Sequence, residues 1–175
     1  MGNGCMKENE NVYFRARKAA AQYNERLQSR EGASEMLGIS VSTLADYELG
    51  ITKVVPVDKV VLMAEMYRCP ELKNGYCKYE CPIGKTMPIA TDAKCLEVIT
   101  LQVLNQLDTK KIEKLKSKLV EITVDGIVDD SEYDDFIMIL EELDKLAKAI
   151  SGTRLLGEKM VNGNNCRQNK KYAED

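Results

Sequence analysis

The stretch that most constrains this chain is Ser29 to Gly50, SREGASEMLGISVSTLADYELG. It holds two short runs that suit helices, separated by Gly38-Ile39-Ser40. Ser29 is a good N-cap, Gly38 can take the left-handed conformation that ends a helix, and Ser40 can cap the second run. Two helices joined so closely must cross, which is the physical content of a helix-turn-helix. Ser34 is small enough for close approach, and Ile39 and Leu44 can lock the pair through apolar contact. The flanks extend the pattern. Val12 to about Leu27 suits a helix with Phe14, Ala20, Ala21 and Leu27 inward. Pro56 suits the first turn of a further helix, with Val57, Val60, Val61, Ala64 and Tyr67 at helical spacing. With aromatics at 6% and much Leu, Glu, Lys, Ala and Met, the expected fold class is all-α.

Within Ser29 to Gly50, Ser42-Thr43-Leu44 followed by Tyr47-Glu48 and Gly50 resembles the ending of the Cro/repressor-type (XRE-like) helix-turn-helix family. More narrowly, SREGASE together with YCKYECPIG is similar to a group of regulators from Gram-positive anaerobes and their mobile elements. The resemblance implies a repressor-like five-helix DNA-binding domain over residues 11–72 and sequence-specific transcriptional regulation, with double-stranded DNA as partner. Carried over by position, it places Arg30, first in the second helix, against a base or phosphate. Val41, Ser42 and Asp46 fall on the exposed face of the recognition helix, Ser40 and Thr43 near phosphates, and Lys53 in the following loop. The chemistry fits these roles. Arg30 can fork onto guanine and Val41 can pack on a thymine methyl, while Ser40, Thr43 and Lys53 can fix register through phosphates. Asp46 departs from the family, which places an amide or a basic residue there; a carboxylate can still accept from cytosine N4. A helix without positive charge between Gly38 and Gly50 implies modest affinity per domain, with dimerisation supplying the rest. The alternative is a protein-interaction adaptor built on the same domain.

Charge narrows the classes further. The net charge of −3 is not that of a strongly basic nucleic-acid binder. Arg15, Arg17, Lys18, Arg26 and Arg30, however, crowd a stretch whose only acid is Glu25. That reads as a local basic patch or as an ordinary solvated helix face. The chain has no His, so Ser-His and Cys-His nucleophile pairs are impossible, and no enzymatic activity is expected. A metal would need Cys, Asp or Glu ligands.

Cys69, Cys77, Cys81 and Cys95 flank or occupy a Cys-, Pro- and Gly-bearing connector at residues 73–91. Four thiolates in one region are compatible with a zinc site or an iron–sulfur cluster, which would make a redox- or metal-responsive regulator. A reversible disulfide and small buried apolar packing explain the same residues. Cys5 and Cys166 lie in polar ends.

Residues 92–161 read as a C-terminal helical bundle or hairpin. Leu96, Ile99, Val103, Leu104 and Leu107 mark one apolar face. Ile112, Leu115, Leu119 and Ile122 mark a second, and Phe136, Leu140, Leu143, Ala147 and Ile150 a third. Because repressor-type readers bind two half-sites as dimers, these helices are expected to mediate a homodimer; a bundle packed on its own chain is the alternative. EITVDGIVDDSE, counted from Glu121, holds half the pattern of a calcium loop, while Gly126 and a Ser131-to-Asp134 capping box explain it as a turn. Residues 162–175 are polar and expected to be disordered. Residues 1–10 form a polar leader without a signal-peptide pattern, and no segment is apolar enough to span a membrane. A cytoplasmic location is therefore expected.

Overall fold

The computed structural model describes residues 11–123 and 126–171, with side chains described to residue 161. Every regular element in that range is helical, and none of the described residues is in a strand. The chain divides into two compact units. One runs through Thr86 and includes residues from Glu158 onward; the other is Met87–Gly157.

In the first unit, α1 (Val12–Ala20) is capped by Asn11, whose side-chain oxygen accepts from the Tyr13 and Phe14 amides. The Asn11 amide also donates to the Tyr47 carbonyl at 3.0 Å. This helix ends earlier than its sequence predicts, because Asn24 caps a separate 3-10 turn at Glu25–Gln28. Helices α2 (Arg30–Leu37), α3 (Val41–Glu48), α4 (Val57–Met66) and α5 (Glu71–Gly75) follow. Leu27, Leu37, Leu44, Val60 and Met63 are buried at the centre. Burial of each such side chain contributes about 1.5–3 kcal/mol. Of the α4 positions expected inside, Val60, Ala64 and Tyr67 are buried, whereas Val57 and Val61 stand in solvent and Met63 joins the core.

After α5 the chain widens into a π turn, Tyr76–Glu80, and then tightens into a 3-10 turn, Gly84–Thr86. Gly84 lies against the Cys77 carbonyl, where a Cβ would come within 2.0 Å of that oxygen. Only glycine fits there.

The second unit holds α6 (Leu96–Gln106), α7 (Thr109–Ile122) and the first part of α8 (Tyr133–Lys171). Its apolar seams differ from the spacing-based expectation. On α8 the buried residues are Ile139, Ala149, Gly152 and Leu155. Leu140, Leu143 and Ile150 are exposed instead, and Phe136 and Ala147 are half-buried. On α6, Ile99 alone is buried, Val103 is half-buried, and Leu96, Leu104 and Leu107 are exposed. On α7, Ile112, Leu115 and Leu119 are half-buried and Ile122 is buried. Spacing identifies faces that can be buried; it does not say which of them finds a neighbour.

The capping box before α8 also sits two residues earlier than expected. The Asp129 carboxylate accepts from the Ser131 and Glu132 amides, and the Asp129 amide donates to Glu132. The calcium-loop pattern includes Val124 and Asp125, which lie outside the described residues. Helix α8 extends to Lys171, into the polar segment whose composition predicts no order. Among the described residues, no helix is long and apolar enough to cross a membrane.

Candidate nucleic-acid interface

The α2–α3 pair is built as its caps predict. Ser29 accepts from the Gly32 amide at 3.0 Å, and Gly38 ends α2 with φ +62°. Ser40 then caps α3 by accepting from the Thr43 amide at 3.0 Å. Ala33 and Leu44 are fully enclosed where the helices pack, and Ser34 is buried with its hydroxyl donated to the Glu31 carbonyl. Gly50, at φ +68°, releases the chain from α3, and the Asp46 carbonyl accepts from the Ile51 and Thr52 amides.

The exposed edge of α3 carries short polar and apolar groups. Ser40, Val41 and Ser42 are exposed; Thr43 and Asp46 are half-buried. The Ser40 hydroxyl lies 2.8 Å from that of Ser42 and 2.7 Å from that of Thr43. Three hydroxyls thus cluster at the start of α3, where amide groups and the helix dipole favour an anion. Lys53 is exposed in the loop beyond.

Arg30 opens α2, as its position in the sequence predicts, and also has a partner inside the protein. Its Nε donates to Glu48 at 2.8 Å, so part of its guanidinium is committed within the protein. Glu48 is completely buried and also binds Arg17, with Nε–Oε1 at 2.5 Å and Nη2–Oε2 at 2.8 Å. Arg17, itself only 2% exposed, donates further to the Leu27 and Gln28 carbonyls. The basic patch read from sequence is accordingly divided. Arg17 is interior, and Arg26 pairs with Glu35 at 2.7 Å. Arg15 and Lys53 are exposed and, among the described residues, have no ion-pair partner.

Two residues of this site escaped the sequence reading. Glu48 joins α1, α2 and α3 through its two arginines, and its 31-residue separation from Arg17 leaves no local signal. Gly32 permits α2 to approach the preceding turn, since a Cβ there would lie 2.2 Å from the Arg26 carbonyl oxygen. A glycine inside a short helix was the available hint.

The cysteines are not gathered into one ligand set. Among the described residues, no group of three or more Cys, Asp or Glu side chains stands where it could hold a metal ion. Cys69, Cys77 and Cys81 are half-buried free thiols in the first unit, and Cys95 is an exposed one in the second. Burial, followed by the neighbouring Glu71 carboxylate, pushes the Cys69 thiol up to about 11. That makes it a weak nucleophile at neutral pH.

No family model, curated protein or solved structure matches this chain.

Proposed function

We propose that residues 11–72 form a repressor-like, five-helix helix-turn-helix domain that binds double-stranded DNA sequence-specifically. The chain acts as a cytoplasmic transcriptional regulator and dimerises through its C-terminal helices. The observation that carries this reading is the α2–Gly38–α3 pair, with the exposed edge of α3 held rigid from behind by Glu48 and its two arginines. Val41 and Ser42 have the size and chemistry to meet base edges, and Ser40, Thr43 and Lys53 to meet phosphates. Arg30 acts mainly by orienting α2 against α3. Apolar side chains exposed on α6 and α8, among them Leu101, Leu104 and Leu143, support the dimer.

Selection of bound sequences from random duplex DNA tests the proposal. The wild-type chain enriches a two-fold-related site, and Val41→Glu/Ser42→Glu, which alters only exposed positions, abolishes enrichment. Absence of enrichment by the folded wild-type protein at low salt overturns it.

A second reading has its own support. Ile51, Val54 and Val57 are each at least half exposed, and α3 carries Asp46 but no cation. An apolar and acidic surface there suits a protein-binding adaptor. Under that reading, Val54→Glu/Val57→Glu abolishes partner binding while no DNA sequence is selected.

A further inference from the structure

The second unit contains a cavity of about 380 Å³, within the size range of small-molecule sites. Its floor is Ile99, Ala149 and Gly152, all buried. Gly152 keeps the floor low: a Cβ at that position would lie 3.1 Å from the Ile99 side chain and 3.6 Å from that of Ala90.

The two helical walls are polar. On α6, Gln102, Asn105 and Gln106 line the cavity, a three-and-one spacing that puts all three on one side of the helix. On α8, Lys145 and Lys148 precede Ala149 and Gly152 along one side in the same way. The segment before α6 closes the rim with Thr91, Asp92 and Lys94. That segment is pinned to α8 by the Ala90 amide, which donates to the Ser151 hydroxyl at 3.1 Å.

Charge distinguishes this cleft from a simple gap between helices. Three lysines face one lining carboxylate, Asp92. Lys145 is held by Glu142 at 2.6 Å, whereas Lys94 and Lys148 have no ion-pair partner among the described residues. Amide side chains opposite them can donate or accept.

We propose that this cleft binds a small multiply charged anion, carboxylate or phosphate, with Lys94 and Lys148 pairing its charge and the α6 amides fixing its orientation. The inference goes beyond DNA binding and does not depend on it, because every group named lies in the second unit. A bound anion would satisfy two cations and bridge α6 to α8.

Isothermal titration of the full chain with citrate and, separately, with pyrophosphate tests this at physiological ionic strength. The expected result is saturable binding of at least one probe, one per chain. Lys94→Gln/Lys148→Gln should weaken it by about tenfold or more, and Gln102→Leu/Gln106→Leu should weaken it while keeping the charge. The difference between the two probes identifies the anion class. Failure of both probes to saturate overturns the proposal. So does binding that both double variants, shown helical by circular dichroism, leave unchanged.

Discussion

In the first unit an arginine and a glutamate are among the most enclosed side chains, while in the second leucines stand in solvent. Arg17 of α1 and Glu48 of α3 are buried together. By contrast, Leu101 and Leu104 of α6 are 67% and 60% exposed, and Leu140 and Leu143 of α8 are each 42% exposed. The first arrangement is expensive unless every polar atom is paired, and here the pairing extends to two backbone carbonyls. It fixes the mutual geometry of three helices. The second arrangement leaves apolar surface whose burial would be favourable, as it is at protein interfaces. The first unit is ordered by a paired polar interior, and the second leaves apolar side chains open along α6 and α8.

The largest expected effect tests the first half of that contrast. Glu48→Ala leaves Arg17 buried without its counter-charge and should destabilise the first unit by about 3–5 kcal/mol, read as a lowered denaturation midpoint. A loss of less than 1 kcal/mol, roughly the value of a surface pair, would show that the cluster does not organise these helices.

A smaller effect on stability, but a large one on assembly, is expected in the second unit. Leu101→Glu/Leu104→Glu places charge on exposed positions, so thermal stability of the monomer should change by no more than about 0.5 kcal/mol. Sedimentation should show a dimer for the wild type and a monomer for the variant. A wild-type monomer at every accessible concentration would remove the proposed role of this face.

A further effect, on stability alone, is a pH dependence in the first unit. Burial, then Glu80 and Tyr76, pushes the Tyr13 phenol up to about 12, and the Cys69 thiol is raised to about 11. Each group is neutral when protonated, and folding favours its proton. Their contribution is therefore complete below the ordinary values of 9.0 and 10.0 and is lost as pH rises through the folded ones. Stability measured by denaturant should fall between about pH 9 and 12. Tyr13→Phe/Cys69→Ser should lessen that fall without removing it, since burial also raises the Tyr47 and Tyr67 phenols, and Cys69 should alkylate more slowly than exposed Cys95 at pH 8.

Local chemistry made much of the α2–α3 region legible. Ser29, Gly38 and Ser40 act within one helical turn of themselves, so their caps follow from residue type and spacing. Leu44 was readable for the same reason. The Arg30–Glu48 pair was not, because nothing near a helix start signals a carboxylate 18 residues away. The division of the basic patch was hidden on the same ground: Arg17 has the same local sequence inside or outside.

The C-terminal helices show the complementary case. Their heptad-like spacing made helices predictable and marked Ile99 and Ile122 as apolar positions that are indeed buried. It also marked Leu140, Leu143 and Ile150, which face solvent. The polar cleft between α6 and α8 had no sequence signal, since Gln102, Lys148 and Gly152 line one cavity only when two helices separated by α7 come together.

The sequence by itself therefore determined the all-helical class, the caps of α2 and α3 and the turn between them, because each depends on backbone conformation and hydrogen bonds within a few residues. Tertiary structure alone decided that Glu48 would hold Arg17 and Arg30, which apolar faces of α6 and α8 would remain open, and where a cavity would form. Those outcomes depend on which surfaces meet across tens of residues, and burial, charge pairing and empty space are properties of that meeting.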